Sequence, residues 1–191
     1  MNRSNLLLQL ELMRFVFCLL LIVFTSHAHS QLFPQSFVGH WKGNLQWYQA
    51  GKKQPQNVSM QLIIKPADTA GQYTWQLIYG QKGEDNRPYL LKPVDTAKGH
   101  WVVDEKNGIF LDNYWVANRL HGAFTVGNTT IINSYWLEGD KLLIEFFNVS
   151  AKPVRTSGEG TEDSPKVDSY AVRGFQKAIL KKVSQKGKAS R

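Results

Sequence analysis

The residues that can do chemistry in this chain are rings and amides at alternating positions. Trp47, Tyr73, Trp75, Tyr79, Trp101, Trp115 and Tyr135 recur at every-other-residue spacing inside short segments, and Asn113, Asn133 and Asn148 fall in the same phase. In an extended strand such spacing sends side chains to one face. Large rings with a few converging amides describe a site for a small, partly apolar molecule. Trp and Tyr walls also suit planar or sugar-like ligands. The same residues are compatible with a filled interior, in which the rings pack on one another and the amides pair among themselves. Both readings stay open at this stage.

Groups for covalent or metal chemistry are sparse. His40, His100 and His121 are far apart, and alternation places each on an outer face or at a strand end. The single cysteine, Cys18, lies in the leader, so a processed chain has no thiolate nucleophile and no disulfide. No Gly-x-Ser-x-Gly elbow, phosphate loop or His-Glu-x-x-His motif occurs. The carboxylate pairs Glu84-Asp85 and Asp104-Glu105 read as solvated turn residues rather than an acid–base dyad. No catalytic residue, metal ligand or cofactor is therefore assigned, although an enzyme that uses scattered residues stays open.

The elements that must position the rings follow from the period-two pattern. Short alternating segments separated by turn residues run from Gly39 onward, with no sustained helical period. Strands are predicted near 39–47, 58–64, 73–79, 88–94, 99–105, 109–118, 120–126, 131–137, 142–146 and 169–181. Lys106-Asn107-Gly108 is a predicted hairpin turn, because Asn-Gly accepts the backbone that a tight turn requires. Residues 150–168 are rich in Pro, Gly and Ser and read as a mobile loop, either a plain connector or a cavity lid. About eight to ten hairpin-spaced strands with one aromatic face predict an all-β, antiparallel up-and-down barrel. Eight to ten strands leave an interior wide enough for a small ligand.

Composition sets the surroundings. Hydrophobic residues make up 42% and charged residues 20%, which excludes disordered and collagen-like chains. Residues 1–30 read as a signal peptide: Arg14 precedes the apolar run FVFCLLLIVF, and Ala28-His29-Ser30 offers a cleavage site before Gln31. The expectation is an exported protein, periplasmic or extracellular, with a barrel domain over 31–181 and a basic disordered tail over 182–191. Net charge is +8, but the excess collects at the C-terminus, in Lys177, Lys181, Lys182, Lys186, Lys188 and Arg191. A near-neutral body gives no nucleic-acid face. The tail can make at most weak contact with anionic envelope polymers.

Phe37-Val38-Gly39-His40-Trp41-Lys42-Gly43 resembles the Gly-x-Trp motif that opens the first strand of lipocalins and their calycin relatives. That resemblance implies a calycin-like barrel whose Trp41 plugs one end, under an Arg from the closing strand. Arg173, in Tyr170-Ala171-Val172-Arg173-Gly174-Phe175, is the matching position. A guanidinium over an indole contributes roughly 1–2 kcal/mol when partly desolvated. The haem-binding calycin branch opens with the same Gly-x-Trp-x-Gly pattern and takes an iron ligand from a His near its C-terminal end. No His follows His121, so that ligand has no counterpart here. The resemblance implies a binding protein for a small hydrophobic, aromatic or sugar-like molecule, with Trp47, Tyr73, Trp75, Tyr79, Trp101, Asn113, Trp115, Asn133, Tyr135 and Asn148 around it. A cell-envelope interaction module with a filled barrel is the alternative.

Overall fold

The structure, a computed structural model, describes residues 33–184. The expected leader and residues 185–191 of the basic tail lie outside the described residues. Twelve strands form in chain order: β1 (Gly39–Gln49), β2 (Gln56–Ile64), β3 (Tyr73–Tyr79), β4 (Asp85–Asp95), β5 (His100–Asp104), β6 (Phe110–Val116), β7 (Arg119–Val126), β8 (Thr129–Glu138), β9 (Lys141–Ser150), β10 (Arg155–Ser157), β11 (Val167–Ser169) and β12 (Val172–Lys182). β1 to β9 pair in sequence, and β12 pairs with both β9 and β1, so ten strands close an antiparallel up-and-down barrel. Closure leaves no open sheet edge in the barrel, which removes the usual route to edge-to-edge aggregation.

Alternation decides the two faces. In β3, Tyr73, Trp75 and Leu77 are buried while Thr74 and Gln76 are less so. The same phase sets Trp41 and Leu45 inward in β1, and Met60, Leu62 and Ile64 inward in β2. Each fully buried large aliphatic side chain contributes roughly 1.5–3 kcal/mol relative to an exposed one. The histidines face outward, as expected, with side-chain partners there: His40 to Gln61 at 2.7 Å, His100 to Asp112 at 2.7 Å and His121 to Ser134 at 2.9 Å. The 106–108 hairpin forms with Lys106 at φ 62° and Gly108 at φ 94°, and the Asn107 side chain accepts the Ile109 N–H at 3.0 Å.

The two barrel ends differ. Residues 33–38 cross the end where β1 begins, with a short 3-10 turn at Gln35–Phe37. Phe33 stacks on Trp115 with centroids 4.5 Å apart and meets Trp101 edge-on at 5.2 Å. Phe37 is fully buried and meets Trp115 at 5.7 Å, while the Trp41 indole N–H donates to the Phe37 carbonyl at 2.8 Å. These rings plug that end. The opposite end carries the turns at 50–55, 80–84, 105–109 and 127–128, and no such plug crosses it among the described residues.

Three expectations need correction here. The segment 150–168, expected to be loop throughout, carries β10 and most of β11, which pair with each other, and Thr156 donates to Asp168 across the pair. β4 begins at Asp85 rather than 88, which moves Asp85 from turn to strand. β12 runs through Lys182, and the Val183 N–H donates to the His40 carbonyl at 2.7 Å, so the barrel reaches past the expected boundary at 181.

Candidate functional site

The open half of the barrel holds a cavity of about 310 Å³. β3 and β4 build one wall, because their register sets Trp75 beside Tyr89, Leu77 beside Arg87 and Tyr79 beside Asp85. β6, β7 and β8 build the facing wall with Leu111, Asn113, Phe124, Ile131, Asn133 and Tyr135, and β9 adds Phe146 and Asn148. Trp75 lies edge-on to Tyr135 at 5.1 Å, and Tyr135 edge-on to Phe146 at 5.9 Å. The cavity runs from the buried Trp75 to Asp85 and Arg87, whose side chains are 47% and 46% exposed, so it opens to solvent there.

At that mouth Arg87 makes a forked contact with Asp85: Nε donates to Oδ1 at 2.9 Å and Nη2 to Oδ2 at 2.6 Å. The guanidinium also lies 5.1 Å from the Tyr79 ring centroid. This hydrogen-bonded guanidinium holds the Asp85 carboxyl below the usual carboxylate range. Burial pushes the Tyr79 phenol up to about 12 and raises Tyr135 further still. Tyr89 is raised by burial and by the neighbouring Glu105 carboxylate. All of these shifts move away from neutrality, which suits fixed recognition groups better than proton shuttles.

Deeper in, polar atoms are left without partners. Asn113 and Asn133 are 1% and 5% exposed, and the Oδ1 of each is buried without a hydrogen bond. They flank Gly122 in register, Asn113 on β6 and Asn133 on β8. A Cβ at Gly122 would lie 2.4 Å from Asn113 Oδ1 and 2.9 Å from Asn133 Oδ1, so only glycine leaves that space free. Asn113 Nδ2 donates to the Leu111 carbonyl at 2.8 Å, which leaves its oxygen turned toward Gly122. A second niche lies over Gly174, where Trp47 Nε1 and Asn148 Nδ2 stand 3.2 and 3.8 Å from the missing Cβ. Trp47 Nε1 and Asn148 Oδ1 are also buried without partners. An unpaired buried polar group costs about 1–3 kcal/mol, and native proteins keep few of them.

The expected ligand-binding residues divide by height along the barrel. Trp47, Trp75, Tyr79, Asn113, Asn133, Tyr135 and Asn148 line the cavity. Tyr73, Trp101 and Trp115 do not: Tyr73 and Trp101 belong to the packed core, Trp115 packs against it, and Trp101 and Trp115 hold the Phe33 plug. Sequence reasoning missed Arg87, Asp85, Tyr89 and Glu105. Their alternation, 85-87-89 in phase with buried Leu91, was the available signal, obscured by Pro88 and by reading Asp85 as a turn residue. Asp104 also departs from the solvated expectation. It is buried, paired with Lys92 on the outer face, and held low by that ammonium.

The expected Trp41–Arg173 contact does not form. Antiparallel closure sets the start of β12 against the end of β1, with Gln49 opposite Gly174 and Trp41 opposite Lys182. Eight residues of strand, about 26 Å, separate the two heights. The cation over Trp41 is Lys182, whose Nζ lies 5.4 Å from the ring centroid. Arg173 lines a groove on the open end with Gln49 and Lys52. No group of three or more potential metal-binding side chains occurs among the described residues. Compared with protein-family models, with curated proteins and with solved structures, the chain matches none.

Proposed function

We propose that this protein is an exported, lipocalin-like carrier that holds a small, partly apolar molecule in the open half of its barrel. One observation supports the reading above the others: a cavity of about 310 Å³, plugged at one end and open at the other, keeps unpartnered buried polar atoms among aromatic walls. The volume falls at the small end of the usual range for ligand pockets. A filled barrel would have closed this space with side chains, as the plugged half does. The exposed segment 151–171 contributes nothing to the cavity lining, so carriage without a lid contact is the simplest reading.

Native mass spectrometry of protein purified from its source tests this directly, alongside titration with the neutral apolar dye N-phenyl-1-naphthylamine. The expected result is a co-purifying mass and saturable dye binding that the ligand displaces. A chain that carries no small molecule and binds no dye would return the barrel to the envelope-module reading.

A further inference from the structure

We infer that the ligand is a small aromatic amine, whose ammonium or amino group donates to Asn113 Oδ1 and Asn133 Oδ1 above Gly122; this rests on the carrier reading. Three observations converge on it. First, the unpartnered side-chain atoms of the cavity are mostly acceptors: the Oδ1 atoms of Asn113, Asn133 and Asn148, against the single donor Trp47 Nε1. The Asn113 amide cannot be turned over without losing its bond to the Leu111 carbonyl, so its oxygen stays presented. A carboxylate or phosphate placed there would face lone pairs, whereas a primary ammonium brings three donors and no acceptor.

Second, the two amide oxygens converge on one point. Asn113, Gly122 and Asn133 sit side by side on adjacent strands, and their two oxygens lie 2.4 and 2.9 Å from the point a Gly122 Cβ would take, close enough together for one nitrogen to meet both. Third, the charge of the cavity favours a cation. Its charged lining residues are Asp85, Glu105 and Arg87, one more acid than base, and the Arg87 fork is already engaged by Asp85. Hydroxyl-rich sugars fit less well, because each hydroxyl brings acceptors of its own to a site already rich in them.

The test uses three molecules with the same ring and similar reach: 2-phenylethylamine, 2-phenylethanol and 3-phenylpropanoate, each competing with bound N-phenyl-1-naphthylamine at neutral pH. The amine should displace the dye at a concentration roughly tenfold or more below the alcohol, the scale of one charge-assisted hydrogen bond. The carboxylate should be weaker than both. In Asn133→Leu the advantage of amine over alcohol should collapse to about twofold or less. In Asn133→Asp it should grow, since a carboxylate replaces an amide oxygen at the same position. An alcohol or carboxylate that competes as well as the amine overturns the assignment, as does an unchanged amine preference in Asn133→Leu. Should Asn133→Leu fail to bind the dye, Asn133→Asp decides, and an amine preference that does not rise there counts against the proposal. A wild-type protein that binds no dye defeats the carrier reading itself, which separates the two failures.

Discussion

Replacing Asn133 by Leu should make the ligand-free protein more stable. Asn133 is 5% exposed and its Oδ1 is buried without a partner. Leaving such an acceptor unpaired costs about 1–3 kcal/mol, whereas an apolar group of similar shape carries no such penalty. Against this, the new methyls share the space over Gly122 with Asn113 Oδ1, and crowding of that kind costs about 1 kcal/mol. The net expectation is a gain of up to about 2 kcal/mol. For a domain of this size that raises the melting temperature by up to roughly 8 °C. Urea unfolding should show a higher midpoint with an unchanged slope, the sign that stability and not compactness has changed. Most substitutions in buried positions destabilise, so the sign alone is informative. A loss beyond about 0.5 kcal/mol would refute the reasoning, because it would mean that Asn133 holds the wall together through bonds it makes in the empty barrel. Greater stability with lost amine binding would instead mark a group kept for function at a cost to the fold.

Other substitutions probe the remaining parts of the barrel. Gly122→Ala should destabilise by about 1–3 kcal/mol, since its Cβ meets the movable Asn113 side chain. Gly43→Ala should cost more, because its Cβ would lie 2.3 Å from the Ile179 backbone oxygen; equal losses by calorimetry would count against this distinction between side chain and backbone. Phe37→Ala removes a fully buried ring of the plug and should cost about 3–5 kcal/mol in thermal unfolding; a change below about 1 kcal/mol would mean that the plug is dispensable. The carboxyl of Asp85 is held low by Arg87, so its contribution is present above the unfolded value of about 3.9 and is lost as pH falls through the folded value. Half-exposed, the pair contributes at most about 1 kcal/mol, and Asp85→Asn should flatten the acid limb of the stability–pH curve by that much; an unaltered limb would show the pair to be energetically silent.

Faces and neighbours were legible from sequence alone. A period of two tells which side chains turn inward, and short hairpin turns leave consecutive strands little choice but to pair. So the sequence alone assigns Trp75, Asn113, Asn133 and Tyr135 to one interior. Height along the barrel axis could not be read the same way. Alternation is identical at both ends of a strand, so Trp101 and Trp115 looked like cavity residues until the segment 33–38 was seen to cross their end and pack Phe33 against them. Register across the closing pair was equally hidden, since it depends on hydrogen bonds between residues far apart in the chain. That register put Lys182, not Arg173, beside Trp41. The mouth pair Asp85–Arg87 needed the true start of β4, which Pro88 masked by breaking the strand pattern. The convergence of two amide oxygens over Gly122 is a relation among three strands, and only closure of the sheet brings it about.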